Sequence, residues 1–440
     1  MLNPQDNELL CRVEGDAPMG RIMRRQWLPA ALSEELAERD GTPRRVRLLG
    51  EDLVLFRDSQ GRLGALGEHC PHRRASLVYG RNEDCGLRCL FHGWKFDVEG
   101  NVVDMASEPA GSPLREKVKH QAYPTHEAAG FVWVYLGPAA QQPRFQAPSW
   151  APTAQTRISI VKMHIRCNWA QVLEGAIDSS HSSSLHSTDI APAQVTGAQA
   201  NEKQWLRPST DKAPRMRAQV HEWGFRYAAV RTPIFNPDTH EYIRITVFVA
   251  PFTVLIPPNN LYNLSQAIIP IDDHNTMFHF IAWHETEGID QEAWRRYCVA
   301  RPGIDLDANW LPIRSQDNLY MQDRRAMKEG SFTGMDGIPT QDMAMWESMG
   351  AIADRSQERL GTSDVAVAQF RKQMVAAAKA VRAGLPAIGT GDLQLGQARV
   401  RSFEGIVPKT TDWRTLGYES APEPGPEPSR LQRAETGANN

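Results

Sequence analysis

The chain has 440 residues, 41% of them hydrophobic and 23% charged, with a formal net charge of -3. A length beyond the ~250–300 residues at which one core stops growing predicts two domains, and the near-neutral balance argues against nucleic acid or an anionic membrane as a partner. The amino-terminal "MLNPQDNELLCRVEGDAP" lacks the basic start and apolar run of an export signal, and "VFVAPFTVLI", broken by Pro251, falls short of the ~20 residues that cross a bilayer, so a cytoplasmic location is expected.

Up to about residue 140, strand and turn signals dominate. "RRVRLLGEDLVLFRDSQGRLGAL" predicts strands on either side of Gly50–Glu51 and then a turn at Asp58–Gly61. "KFDVEGNVVDM" repeats the pattern, and "GFVWVYLG" predicts a strand packed on both faces or presenting one aromatic face to a core. Residues 1–140 read as a small all-β domain with an amino-terminal extension, and the proline-rich stretch 141–155 as a linker. From 156 to 417 helical patterns enter in "CNWAQVLEGAIDSSHS", "TQDMAMWESMGAIADRSQERL" and "TSDVAVAQFRKQMVAAAKAVRAG", the last expected to be capped by Ser363 and Asp364 and closed by Gly384. Strand runs "EYIRITVFVAPFTVLIP" and "MFHFIAWHE" lie between them, so the second domain is mixed and the chain is α+β. The Pro/Glu-rich stretch 418–440 is expected to be a mobile tail.

Three of the six cysteines fall in "CPHRRASLVYGRNEDCGLRCLFHGW". In a reducing compartment such crowding favours metal or redox chemistry over a disulfide framework. Cys70 and His72 form a CxH pair, Cys89 and His92 a CxxH pair, and such a set can hold either a tetrahedral zinc or a [2Fe–2S] cluster. Cys and His are paired on each of two loops between strands, rather than two His close together on a helix, so each loop can offer one ligand to each of two irons. Cys85 and His69 stand outside the pattern and read as a packed thiol and an ordinary imidazole. Arg73, Arg74, Arg81, Arg88 and Lys95 form either a solvated basic face or a dock for an acidic partner.

A second set occurs in "NWAQVLEGAIDSSHSSSLH", which supplies Asn168, Glu174, Asp178, His181 and His186. Asp178 and His181 share a face of a regular helix, whereas His186 points elsewhere unless Ser182–Ser184 loosen the helix and let the imidazoles converge. Two histidines and a carboxylate with open positions suit non-haem Fe(II), and the carboxylate is open among Asp336, Asp342 and Glu347 in "GMDGIPTQDMAMWESMG".

The patterns CPHR…CxFHGWxF and DxxHxxxxH, in this order, resemble the Rieske non-haem iron aromatic-ring oxygenases. The resemblance covers almost the whole chain. It implies a Rieske [2Fe–2S] domain held at Cys70, His72, Cys89 and His92, then a helix-grip catalytic domain with mononuclear Fe(II) held by His181, His186 and Asp342. It implies that Asp178 bridges an iron-bound histidine to a cluster histidine of a neighbouring subunit in a homotrimer or stacked trimers. It further implies O2 as co-substrate and NAD(P)H electrons delivered by a separate flavin/iron–sulfur reductase, consistent with the lack of a GxGxxG nucleotide motif. Within the family the quoted segments are most similar to the phthalate dioxygenase branch, which implies cis-dihydroxylation of an aromatic dicarboxylate, with phthalate the expected substrate. Monooxygenation or O-demethylation of another aromatic acid is the runner-up, and a non-catalytic electron carrier a remote third. Two adjacent carboxylates call for arginine forks; Arg244 in "EYIRITVFV" and Arg207 on the expected loop "KQWLRPST" are the candidates, with Arg226 and Arg231 as competitors.

Overall fold

In this computed structural model, residues 2–109, 111–151, 153, 155–196, 199–200, 204–258, 262–390 and 400–418 are described. The expected tail lies outside the described residues from 419 onward. Among the described residues, no helix is long and apolar enough to cross a membrane.

The amino-terminal domain is built from β1 (Trp27–Leu32), β2 (Arg44–Leu48), β3 (Glu51–Arg57), β4 (Leu63–Gly67), β5 (Arg81–Glu83), β6 (Gly86–Arg88), β7 (Trp94–Phe96), β8 (Val102–Met105), β9 (Thr125–Ala128) and β10 (Phe131–Tyr135). They make three antiparallel sheets, β1-β10-β9, β2-β3-β4 and β5-β6-β7-β8. Leu49 and Gly50 take the left-handed turn between β2 and β3, and the Asp58 carboxylate folds the next turn by accepting from the backbone of Gln60 and Arg62. β10 is buried at every position, so the aromatic run is packed on both faces.

The second domain contributes β11 (Arg157–Ile165), β12 (Ile190–Pro192), β13 (Gln199–Ala200), β14 (Trp205–Arg207), β15 (Arg215–His221), β16 (Gly224–Arg231), β17 (His240–Val249), β18 (Thr253–Ile256), β19 (Asn263–Pro270), β20 (Thr276–His284) and β21 (Phe403–Pro408). Seven of these run in the order β11-β20-β19-β18-β17-β16-β15, and β21 pairs with the first half of β17 where β18 leaves that edge open. The large antiparallel sheet is flanked by helices, among them α1 (Pro4–Cys11), α2 (Pro18–Met23), α3 (Trp169–Ala176), α4 (Ile338–Ser348) and α5 (Val365–Arg382).

Local chemistry explains the helix ends. Asn168 caps α3, its side chain accepting from Ala170 N–H at 3.1 Å. α5 ends where Gly384 takes φ 74, as expected, and Asp364 stands at its N-cap position, but its side chain makes no cap bond and instead accepts from Gly361 N–H, closing a preceding 3-10 turn. The amino-terminal extension, read from sequence with the first domain, lies against the second. α1 and α2 pack on α5, Asn168 donates to Cys11 O at 2.9 Å, and Asp273 accepts from Val13 N–H at 2.7 Å. The stretch 141–155 is anchored by aromatics: Trp150 stacks on Trp133 at 6.0 Å and Phe145 packs against Trp27 and His126.

A buried ion pair joins the two domains. Lys162 of β11 places Nζ 2.6 Å from Glu35, in the turn after β1, and over the Trp310 ring at 4.7 Å. Leu32 N–H and Trp310 Nε1 donate to the same carboxylate. Burial pulls the Lys162 ammonium below its ordinary range, against the attraction of Glu35. Removing one partner strands the other charge, so Glu35→Ala is expected to cost roughly 3 kcal/mol and lower the thermal midpoint by about 5 °C. Scanning calorimetry checks this, with the apolar pair Glu35→Leu/Lys162→Met expected to recover only part of the loss, because Leu32 N–H and Trp310 Nε1 still lose their acceptor.

Candidate functional site

Two loops carry the sulfur-bearing set. Cys70 and His72 follow β4 in a turn closed by Arg74 N–H donating to Cys70 O at 2.9 Å. Cys89 and His92 join β6 to β7, closed by Gly93 N–H to Cys89 O at 3.0 Å. Gly93 sits at φ 74, and a Cβ there would strike Ala106 at 2.8 Å, so only glycine lets the turn lie this close. Both thiols are buried, and chiefly burial, with Cys89 alongside, pushes Cys70 up to about 11. The His72 and His92 rings stand edge to face at 4.5 Å, and His72 stacks on Trp94 at 4.5 Å. His92 Nδ1 is buried without a protein partner, a position suited to metal ligation.

The donor set discriminates between zinc and a cluster. A tetrahedral zinc needs donor atoms roughly 3.3–3.8 Å apart. Among the described residues, no three of these four donors lie within 4.8 Å of one another. Thiol beside thiol and imidazole beside imidazole instead fit two irons, one pair on each. Around them Tyr79, Leu90 and Phe91 are exposed, as are Arg73, Arg74 and Arg81. The expected basic face is smaller than its sequence: Arg88 turns in to Glu83, Asp104 and Gly93 O, and Lys95 is buried. Cys85 occupies a left-handed turn position, and His69 is half-buried.

The second set converges because α3 stops. The helix ends at Ala176, so Asp178 and His181 do not share a helix face as the periodicity predicted. Asp178 instead accepts from Ser180 N–H at 2.7 Å, and His181–Ser183 form one 3-10 turn. Serines compete for backbone hydrogen bonds and disfavour a continuing helix. His181 Nε2 and His186 Nε2 come within 3.2 Å, and Asp342 Oδ1 lies 3.5 Å from the first and 3.0 Å from the second. Gly175 permits this approach of α3 to α4, since a Cβ would sit 2.0 Å from Trp346 Nε1. Of the other acids considered, the Asp336 side chain is 87% exposed, and Glu347 is buried but accepts from Tyr320 Oη and Arg166 N–H, each at 2.7 Å.

Two supporting residues escaped the sequence reading. His186 Nδ1 meets Gln341 Oε1 at 2.8 Å, and Gln341 Nε2 donates to Asp189 at 2.8 Å and Met335 O at 2.9 Å. This fixes the His186 ring with its other nitrogen toward the triad. Only the adjacency of Gln341 to Asp342 hints at it in sequence. Asp178 lies 3.5 Å from His181 Nδ1; burial disfavours charge on both, yet their attraction holds the Asp178 carboxyl below and the His181 imidazole above their ordinary ranges. Three donors within 4.8 Å of one another, with the remaining directions open, suit one cation of the non-haem iron type.

Beside the triad is a cavity walled by Ile256, Leu264, Phe278 and Phe280 and bounded by Asp342 and Arg244. Arg244 of β17 is buried and lines it. Arg207, expected on a loop, is the last residue of strand β14; it is 4% exposed and donates to the Ser182 and Ser183 hydroxyls at 3.0 and 3.2 Å. Arg231, fully buried, donates to Ser179 O at 2.8 Å and to Ser183 Oγ at 3.3 Å. Burial first, and then repulsion from Arg244, pulls Arg207 down to about 9 and Arg231 to about 10. Neither has a carboxylate at ion-pair distance among the described residues. Arg226 faces the other side of the sheet, bonded to Gln219, Leu416 O and Arg414 O.

Comparison with known proteins agrees with this geometry. The Rieske [2Fe-2S] domain family matches residues 26–122, and the family described as LigXa C-terminal domain like matches residues 134–433. The chain is 59% identical over 415 residues to the phthalate 4,5-dioxygenase oxygenase subunit of Pseudomonas putida, covering 94% of each chain. It is 34% identical to the 3-chlorobenzoate-3,4-dioxygenase oxygenase subunit of Comamonas testosteroni, over 94% of this chain and 97% of the other. The crystal structure of dicamba monooxygenase bound to dicamba shares the fold, with a TM-score of 0.57, 16% identity, and coverage of 82% of this chain and 99% of that one. The chain thus belongs to the Rieske non-haem iron aromatic-ring-hydroxylating oxygenases, as a dioxygenase oxygenase component that carries a [2Fe–2S] cluster and a mononuclear iron and receives NAD(P)H electrons through a reductase.

Proposed function

We propose that the enzyme cis-dihydroxylates phthalate at the edge opposite its two carboxylates. The observation that carries this is the gathering of Arg207, Arg231 and Arg244, all buried, beside an apolar cavity that opens on the His181–His186–Asp342 triad. Three buried guanidiniums repel one another, and an ortho-dicarboxylate supplies the opposite charge in a geometry that arginine forks match. The Pseudomonas putida relative, named for phthalate 4,5-dioxygenation, supports the same substrate.

Cys70, His72, Cys89 and His92 hold the cluster, and His181, His186 and Asp342 the mononuclear iron, in this reading. Residues 1–140, apart from the extension that packs on the second domain, and residues 156–417, joined by 141–155, serve as the electron-carrying and catalytic units. The mononuclear iron, when bound, supplies the activation of O2 with electrons relayed from the cluster. The chain's own residues do the rest. Arg244 receives one carboxylate directly. Arg207 reaches the other once the Ser182 and Ser183 hydroxyls turn aside. Ile256, Leu264, Phe278 and Phe280 exclude water and present the ring flat. Gln341 fixes His186, and Asp178 orients His181.

Exposed Tyr79, Leu90 and Phe91 beside the cluster imidazoles match a depression lined by exposed Phe332, Met345, Met349 and Leu360 that includes Asp178 and His181. Seating one on the other between copies is a head-to-tail contact, which closes into a ring, here a homotrimer or stacked trimers. Asp178 then bridges His181 to a cluster histidine of the next subunit. A flavin/iron–sulfur reductase docks at Arg73, Arg74 and Arg81, and the assembly works in the cytoplasm.

Three tests follow from these assignments. Asp342→Ala is expected to keep the cluster spectrum while iron falls from three to two per chain, and Gln341→Leu to weaken mononuclear iron binding by about 10–100-fold in chelator competition. Arg207→Ala and Arg244→Ala are each expected to raise the phthalate dissociation constant by roughly 30-fold or more, because each leaves a buried carboxylate unpaired; unchanged affinity in both overturns the substrate. Asp178→Asn is expected to preserve both iron sites but slow single-turnover electron transfer between them, read by cluster re-oxidation in stopped flow.

A further inference from the structure

Gln266 lines the same cavity, and its position is hard to explain structurally. It lies in β19 between Val254 of β18 and Phe280 of β20, and its same-face neighbours along the strand, Leu264 and Ile268, are apolar and buried. It is 5% exposed, yet its Oε1 has no hydrogen-bond partner. Other buried amides near the site are satisfied. Gln171 donates to Trp346 O and Gly350 O and accepts from Ala353 N–H, and Gln341 is held at both ends. A buried amide left without a protein partner is costly in a sheet interior where leucine would pack as well.

Its place relative to Arg244 gives it a use. The ladder aligns Phe248, Val254, Gln266 and Phe280 in one row across four strands. Arg244 lies on the first of these strands, four residues before Phe248. At ~3.3 Å per residue and ~4.8 Å per strand, the two Cα atoms are about 16 Å apart. Allowing for both side chains, that span leaves room for one aromatic ring, with the arginine at its carboxylate edge and the amide at the other.

We infer that Gln266 is a second recognition point of the cavity, one that hydrogen-bonds a ring hydroxyl on the edge remote from the carboxylates. An amide offers both a donor and an acceptor, so the inference holds whichever way its two ends are assigned. Phthalate itself has no group to meet it. A ring acid already carrying a hydroxyl, or the diol formed from phthalate, does. The cavity thereby takes hydroxylated aromatic dicarboxylates as ligands in addition to the unsubstituted acid. The inference rests on the arginine-held carboxylates of the proposed function.

The test uses the iron-loaded, oxidised holoenzyme without reductant, so that ligands bind and do not turn over. Calorimetric dissociation constants are measured for phthalate and 4-hydroxyphthalate on the parent enzyme, Gln266→Leu and Gln266→Met, with the cluster spectrum and iron content confirming the fold of each. The parent is expected to bind 4-hydroxyphthalate at least as tightly as phthalate. Each substitution is expected to weaken 4-hydroxyphthalate about tenfold, the usual consequence of a buried hydroxyl losing its partner, and to change phthalate less than threefold. Weaker binding of 4-hydroxyphthalate to the parent, or equal shifts of both ligands in both variants, overturns the role of Gln266. Arg244→Ala separates this from the substrate reading. If it leaves both ligands unaffected while the Gln266 variants still discriminate, the carboxylate clamp fails and the hydroxyl contact stands.

Discussion

The catalytic end of the molecule depends on the departure of the chain from the helical path at Ile177. Had α3 continued, His181 and His186 would face different directions and no metal could reach both. Its termination lets the two Nε2 atoms come within 3.2 Å. The turn that follows is poor in intrinsic stability, being rich in serine, so its shape has to be imposed from outside. Arg231 holds Ser179 O, Arg207 holds the Ser182 and Ser183 hydroxyls, and Gln341 holds His186. The same short segment is therefore fastened to the cation cluster on one side and to α4 on the other.

This arrangement gives the arginines two roles. They shape the loop bearing His181, and they gather three buried guanidiniums on the cavity side of the sheet. Burial first, and then repulsion from Arg244 in a medium of low polarity, makes Arg207 and Arg231 hold their protons less firmly than usual. An anion entering the cavity relieves that repulsion. Under the proposed function, capture of an aromatic acid and rigidity of the His181 loop are coupled through the same guanidiniums. The apolar walls contribute by keeping the field unscreened.

The two domains are joined firmly, through Lys162 and Glu35 and through the aromatic contacts of Phe145 and Trp150, and α1 and α2 reach across to pack on α5. A cluster carried on such a body has a fixed orientation. Its rim exposes Tyr79, Leu90 and Phe91, and the depression outside Asp178 exposes Phe332, Met345, Met349 and Leu360. Under the proposed function, these two surfaces are where the metal sites of different copies meet.

Much of the fold and of the donor set was legible in the sequence. The short-range signals work where neighbours in the chain decide the outcome: the turns at Gly50 and Asp58, the stop at Gly384, and the CxH and CxxH pairs whose spacing sets two loops. The residue types needed for a triad were visible too, but the histidine pair gained its meaning only from the CxH and CxxH pairs upstream. What the sequence could not decide was set by contacts between distant segments. Periodicity extended α3 through His181, whereas tertiary bonds from Arg207 and Arg231 hold the serine turn. Spacing alone left Asp336, Asp342 and Glu347 open and only the family resemblance pointed to Asp342; in the fold Asp336 is solvent-facing and Glu347 is spent on Tyr320 and Arg166. Arg226 and Arg231 are five apart on one strand and so face opposite sides, and only the packing of the sheet shows which side is the cavity. Gln341, Asp189 and Gln266 carry no signal of their own, since an amide or a carboxylate acquires meaning only from the groups that folding places around it.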